Sequence, residues 1–173
     1  MPANLPALRA LENQIQEIEH PEQPRASLPD VAQRISGKTF QMMSSTPAEA
    51  WFQTITFTFD GGNTYQSESQ WPGNQQVIVK GGMNNAFQYN SVKFTGLQPA
   101  EDIVVALRGH WQDDHTFVEE YVRDLNSEIG LITQKSTFED NRIVVELTST
   151  MQPYTQRAMG EMIPEKSAAR TIR

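Results

Sequence analysis

The stretch WFQTITFTFDGGNTYQSESQ, residues 51–70, decides the fold. Apolar and polar residues alternate in its first half, so Ile55, Phe57 and Phe59 share one face of an extended strand, and threonines share the other. The residues DGGN at 60–63 are those that tight turns favour, and a second strand-like run follows them. We interpret this stretch as a β-hairpin with one buried and one solvated face.

Similar runs continue along the chain from residue 39 to residue 162. They comprise residues 39–43, 51–59, 64–70, 76–80, 91–94, 103–111, 116–124, 130–138, 142–149 and 155–162. Short turn-rich links between them predict sequential hairpins, and a meander of this length removes its exposed edges most simply by closing. We therefore expect a mainly β protein, an antiparallel up-and-down barrel of eight or more strands, rather than a two-sheet sandwich.

The N-terminal part of the chain has a different pattern of apolar residues. Apolar residues spaced three or four apart predict an amphipathic helix within residues 1–20, with the stripe Leu5, Leu8, Leu11, Ile15 and Ile18. Several prolines then predict an extended linker over residues 21–34. The barrel domain is expected over residues 35–163, followed by a small, polar tail at residues 164–173.

Composition excludes several classes of function. The 173 residues carry a net charge of −7, and a negative charge disfavours electrostatic binding to the phosphates of a nucleic acid. The chain has no cysteine, so disulfides, thiolate nucleophiles and cysteine-based metal sites are excluded. No apolar run approaches the ~18 residues of a membrane helix, and the start lacks the features of a signal peptide. We expect no nucleic-acid or membrane partner, and the compartment stays open.

A resemblance to a known family rests on residues 106–121, ALRGHWQDDHTFVEEY. This hairpin resembles part of the lipocalin-like β-barrel domain that follows the catalytic domain in penicillin-binding-protein and class C β-lactamase-like serine hydrolases. Residues 35–40, 57–61 and 138–145 are also similar, and the helix with its linker resembles the tail of the preceding domain. The resemblance implies an accessory barrel that packs on or covers a hydrolase catalytic domain, in cis or in trans, through the apolar helix stripe.

The catalytic motifs of that family are absent from this chain. No serine is followed three residues later by lysine, and there is no Tyr-x-Asn sequence. Lys80-Gly81-Gly82 fits a loose Lys-x-Gly only at a junction between strand and turn. We therefore expect a non-catalytic chain that needs no cofactor.

One hairpin concentrates potential metal ligands, namely His110, Asp113, Asp114, His115 and Glu119. Their spacing does not match a known closed site. An Asp-Asp turn also hydrogen-bonds its own backbone, and exposed His and Glu beside it are ordinary solvated residues. We expect no metal here.

The same hairpin presents an arginine and two adjacent glutamates, and its register is open. A loop with an even number of residues, two or four, places Arg108 opposite Glu119 and leaves Glu120 on the inward face with Trp111. A three-residue loop places Arg108 opposite Glu120 and leaves Glu119 as the ambiguous residue. A carboxylate inside a barrel needs a partner or a proton, and it could contact a ligand. Structural pairing is the default interpretation.

Aromatic residues could either line a cavity for an apolar ligand or fill the barrel. The set is Trp51, Phe57, Phe59, Trp111, Phe117, Tyr121 and Phe138. We favour filling, because nothing in the sequence marks a mouth with convergent polar groups. The alternative function is a lipocalin-like protein that binds a small apolar ligand inside the barrel, with Arg108, Glu119, Glu120, Trp111 and Tyr121 as ligand or pairing candidates. A helix that docks into a partner's groove is a third possibility.

Overall fold

A computed structural model describes residues 28–43, 52–83, 86–94, 101–123, 130–150 and 155–164. The described residues form one short helix and ten strands. The elements are α1 (Asp30–Ile35), β1 (Thr39–Met43), β2 (Thr54–Phe59), β3 (Thr64–Trp71), β4 (Gln75–Gly82), β5 (Gln88–Phe94), β6 (Glu101–Trp111), β7 (Thr116–Arg123), β8 (Leu131–Glu139), β9 (Arg142–Ser149) and β10 (Thr155–Met162). Each strand matches a run predicted from the sequence within a few residues at its ends.

The ten strands form one sheet in which every consecutive pair except β4 and β5 is hydrogen-bonded and antiparallel. β1 also pairs with β10, so that Phe40 lies opposite Met162 and Met42 opposite Gly160. A single parallel pairing, Gly82 with Arg108, connects β4 to β6 at the remaining seam. The predicted up-and-down barrel is confirmed.

Side chains bridge the seam between β4 and β5. Asn90 on β5 accepts a hydrogen bond from the Lys80 amide at 2.8 Å and donates one to the Lys80 carbonyl at 2.8 Å. Nearer the other end of the seam, Gln75 Nε2 donates to the Lys93 carbonyl at 2.9 Å. The Asn90 carboxamide thus takes the place of a backbone pair where the ladder is interrupted.

Burial alternates along the strands as the sequence predicts. The fully buried side chains include Phe40, Phe57, Phe117, Phe138 and Ile143, each from a different strand of the barrel. The turns are built from the expected residues. At the β2–β3 turn, for example, Asp60 Oδ1 accepts a hydrogen bond from the Gly62 amide at 2.8 Å, and Gly61 has a φ of 76°.

Helix α1 begins within the segment that the sequence assigns to a linker, residues 21–34, and ends at Ile35. Val31, Ala32 and Ile35 are buried in the barrel core, because DVAQRI places these residues on one helical face. The Ser36 hydroxyl then donates to the Phe59 carbonyl at 3.2 Å and accepts from the Phe59 amide at 2.9 Å. The packed unit therefore begins before residue 35, with α1 against the end of the barrel where β2 ends.

Three sequence predictions lie outside the described residues. These are the helix over residues 1–20 with Leu5, Leu8, Leu11, Ile15 and Ile18, most of the linker before residue 28, and the tail beyond residue 164. Within the described part of the chain, no helix has the length and apolar character needed to cross a membrane.

Candidate functional site

The hairpin of β6 and β7 adopts the odd-loop register. Trp111 lies opposite Phe117, and Arg108 therefore lies opposite Glu120. Arg108 Nε donates to Glu120 Oε2 at 2.6 Å on the outer face of the barrel. The Arg108 guanidinium also lies 4.6 Å from the centre of the Phe87 ring. Arg108 and Glu120 form an ion pair on the outer wall.

This register turns the Glu119 carboxyl group into the barrel. Glu119 is only 3% exposed. Gln134 Nε2 on β8 donates to Glu119 Oε2 at 2.6 Å and lies 3.5 Å from Ser136 Oγ. Burial raises the pKa of Glu119 to about 8, and the nearby Tyr65 hydroxyl acts in the opposite direction. Near neutral pH the interior therefore holds a carboxylic acid that is mostly protonated.

Tyr65 on β3 places a phenol beside this acid. Its pKa is raised well above the usual value, first by burial and then by the nearby Glu119. The Tyr65 hydroxyl is close enough to Glu119 for a hydrogen bond to contribute to both pKa shifts, but this contact lacks good hydrogen-bond geometry, so the hydroxyl has no well-formed partner among the described residues. The Trp111 indole N–H and Gln156 Oε1 are likewise buried without a partner among the described residues. We refer to Tyr65, Glu119 and Gln134 as the polar cluster.

Two glycines leave room for the Tyr65 ring. Gly81 lies opposite Tyr65 on β4, and a methyl group there would overlap the ring. A methyl group at Gly109 on β6 would lie 2.5 Å from Phe117 Cζ and 2.8 Å from Tyr65 Cε1. The phenol is therefore held beside Glu119 by backbone that approaches it closely from two strands.

Aromatic rings fill the end of the barrel that α1 covers. Phe59, Trp111 and Phe117 pack with ring centres 5.0 to 5.3 Å apart. Phe57 and Phe138 continue the cluster at 5.9 Å. At this end, the expectation that aromatic residues fill the barrel fits the structure, whereas Trp51 lies outside the described residues.

The apolar interior consists of two separate clusters of buried residues. The larger contains the aromatic rings and the helix, and the smaller consists of Val77, Val92, Ile103, Val105 and Leu107. Trp71 and Tyr121 pack against both clusters. Their strand positions face inward, yet both are only half-buried. Away from α1, the inward-facing side chains are therefore more exposed than at the aromatic end.

The structure separates the residues considered as metal ligands. Glu119 is inside the barrel, whereas His110, Asp113, Asp114 and His115 are exposed on the hairpin. Asp113 Oδ1 accepts a hydrogen bond from the His115 amide at 2.9 Å, and this bond is the main reason that the pKa of Asp113 is lowered. Across the described ranges, no group of three or more His, Cys, Asp or Glu side chains is placed to hold a metal ion.

Sequence reasoning missed Tyr65 and Gln134 as site residues. The alternation of β8 offered a signal, because Gln134 and Ser136 stand at inward positions between Ile132 and Phe138. Polar residues on the buried face of a strand are uncommon, and they indicate a partner or a ligand.

Comparison with known proteins supports the fold alone. No protein-family model and no curated protein sequence matches this chain. A fatty-acid-binding protein from Manduca sexta is 14% identical, with a TM-score of 0.50 over 73% of this chain and 98% of its own. The extracellular fatty acid binding protein As-p18 is 11% identical, with a TM-score of 0.52 over 79% of this chain and 99% of its own. Secretory abundant heat soluble protein 4 from Ramazzottius varieornatus is 11% identical, with a TM-score of 0.51 over 82% of this chain and 99% of its own.

These structures overturn the resemblance to a hydrolase accessory domain. The similar solved structures include fatty-acid-binding barrels, and no family model supports a β-lactamase-like origin. The expected role as an accessory domain is therefore wrong, as is the expected serine hydrolase partner of the stripe from Leu5 to Ile18. Residues 106–121 gave this resemblance because alternating strand residues around an Asp-Asp turn are compatible with many antiparallel hairpins.

Proposed function

We propose that this chain is a non-catalytic binding protein that holds a small apolar molecule inside the barrel. The observation that carries the proposal is the divided interior. One end is packed with aromatic rings, and the rest is lined by a separate apolar cluster with half-buried, inward-facing Trp71 and Tyr121. A concave, mostly apolar space with a few polar groups is the usual form of a small-molecule site.

Burial of hydrocarbon supplies the driving force in this proposal. Each methylene transferred from water to an apolar lining contributes about 0.8 kcal/mol. The smaller cluster, which includes Val77, Val105 and Leu107, offers such a lining along three strands, β4, β5 and β6. The seam between β4 and β5 lies in the same part of the wall, where side-chain bonds from Asn90 replace a continuous ladder.

The similar barrels support binding rather than catalysis. The Manduca sexta protein and As-p18 are both described as fatty-acid-binding proteins. Their chains are matched over nearly their full lengths, so the similarity covers the whole barrel rather than one hairpin. Because the identities are low, these names support a class of ligand site and not a particular ligand.

A titration with Nile red, an uncharged apolar dye, tests the proposal. Val79 faces inward beside the smaller cluster, and its neighbour Ile78 faces outward and is 50% exposed. We expect Val79→Trp to weaken dye binding at least about ten-fold, a loss of about 1.4 kcal/mol, because the indole occupies the ligand space. The matched variant Ile78→Trp should bind within about two-fold of the unchanged chain.

Circular dichroism establishes that both variants are folded, and Val79→Phe offers a smaller enlargement if tryptophan does not fit. Equal binding by the folded inward and outward variants would place the dye on the surface and refute the proposal. Absence of saturable dye binding to the unchanged chain would also refute it.

A further inference from the structure

The polar cluster places three hydrogen-bonding side chains inside the barrel. Tyr65, Glu119 and Gln134 come from β3, β7 and β8, and each is directed into an interior that is mostly apolar. Gln134 satisfies one Glu119 oxygen, but the Tyr65 hydroxyl, on a residue that is 2% exposed, makes only a poorly aligned contact with Glu119 and no well-formed hydrogen bond among the described residues. A buried polar atom without a partner destabilises the fold by about 1–3 kcal/mol, so its retention indicates a ligand or a bound water.

The immediate surroundings of Glu119 are unfavourable for an anion. Among the inward-facing strand positions whose side chains the structure describes, none carries lysine or arginine, and the arginine at an inward register position, Arg123 opposite Val105, is four residues from Glu119 along β7. Arg108, one strand away on β6, is on the outer wall and is paired with Glu120. A carboxylate head placed at the polar cluster would lie beside the acidic Glu119 with no described cation to compensate it.

An uncharged hydroxyl group suits the same position. It can accept a hydrogen bond from the free Tyr65 hydroxyl and donate one to the Glu119 carboxyl group. Neither group must then carry a buried charge. The groups that face Glu119 are Tyr65, from β3 across the barrel and with its raised pKa, and the uncharged Gln134 on the adjacent strand β8.

We propose that the polar cluster binds the uncharged, hydrogen-bonding head of an amphiphile such as a long-chain primary alcohol and discriminates against a fatty-acid carboxylate. This inference rests on the proposed function, since it assigns the head of the molecule whose apolar part occupies the barrel. It sets this chain apart from the fatty-acid ligands named for the similar barrels.

A protonated amine is a weaker candidate than the alcohol. Burial holds the pKa of Glu119 at about 8, so an ion pair with a bound ammonium would first require the acid to lose its proton. Two charges would then be desolvated together, and this penalty frequently exceeds their attraction. The amine should therefore bind less tightly than the alcohol below pH 7.

The test is displacement of Nile red by dodecanol, dodecanoate and dodecylammonium at one pH near 6.5, below the solubility limit of the alcohol and the micelle concentrations of the two ions. The three share one hydrocarbon chain, so differences in affinity report on the head. We expect dodecanol to bind at least about ten-fold more tightly than dodecanoate. Tyr65→Phe should weaken dodecanol binding about five-fold through loss of one hydrogen bond and leave Nile red binding unchanged.

Glu120→Gln, on the outer wall, is the control and should not alter any of the three affinities.

The outcomes separate the two proposals. If dodecanoate or dodecylammonium binds most tightly, or if all three displace the dye equally, the assignment of the head is overturned while interior binding stands. If Tyr65→Phe leaves the affinity for dodecanol unchanged, the polar cluster is not its site. If Nile red itself does not bind to the unchanged chain, the proposed function fails before the head is tested.

Discussion

Replacing Glu119 with glutamine removes the ionisable group from the barrel interior and keeps the size of the side chain. The variant can still accept the hydrogen bond that Gln134 donates at 2.6 Å. Its amide N–H₂ can also donate to the buried Tyr65 hydroxyl, which has no other described partner. The substitution therefore isolates the effect of one proton on the free energy of unfolding.

The magnitude follows from the pKa of Glu119, about 8 in the folded barrel against 4.5 for an ordinary glutamate. Between these pH values the unfolded chain releases the proton and the folded chain keeps it, so rising pH favours unfolding. Stability linked to the protonated acid is fully present below pH 4.5 and is lost as pH rises through 8. The total loss is on the order of 5 kcal/mol.

Urea unfolding at pH 5, 7 and 9 measures this effect. The unchanged chain should lose stability relative to Glu119→Gln at about 1.4 kcal/mol per pH unit from pH 5 to about 8, and the difference should level off above pH 8. Glu120→Gln is the control, since it removes a partly exposed ion pair worth about 1 kcal/mol or less. Parallel pH profiles for the unchanged chain and Glu119→Gln would refute the conclusion that Glu119 is protonated inside the barrel.

Three further substitutions test the packing beside Tyr65, the seam between β4 and β5, and the turn between β8 and β9. Gly109→Ala should destabilise it by about 1–3 kcal/mol in thermal unfolding, because the added methyl group meets the Tyr65 ring at 2.8 Å; an unchanged melting temperature would contradict the close packing. Asn90→Ala should remove both bonds to Lys80, lower stability by about 1–2 kcal/mol and speed amide exchange along β4 and β5; unchanged exchange would show that the seam is held otherwise. Asp140→Gly should raise stability by up to about 1 kcal/mol, because Asp140 has a φ of 49° that glycine adopts freely; a large loss in urea unfolding would show that its exposed pair with Arg34 matters more.

The strands were predictable because their signal is local. Alternation with a period of two identifies a half-buried strand from its own residues, and β9 and β10 begin and end where the sequence indicates. Helix α1 was not predictable in the same way. It has six residues, begins after Pro29 and gains its stability from packing against the barrel, which its own sequence does not report.

The candidate site depends on information that no single segment contains. The register of β6 and β7 was open between two alternatives, and only the odd one places Glu119 inside. Tyr65 and Gln134 reach Glu119 because barrel closure brings distant strands around one interior. The mistaken resemblance to a hydrolase domain has a similar cause. The sequence of one hairpin indicates how two strands pair, but it does not indicate the function of the barrel that contains them.

The most direct measurement of interior binding is a set of nuclear Overhauser contacts between Nile red and valine methyl groups. Val104 and Val105 are consecutive in β6 but are 54% and 9% exposed, so one faces solvent and the other faces the interior. Interior binding predicts contacts from the dye to the methyl groups of Val105 and none to those of Val104. Contacts to Val104 alone, or saturable binding without any contact to Val105, would contradict it.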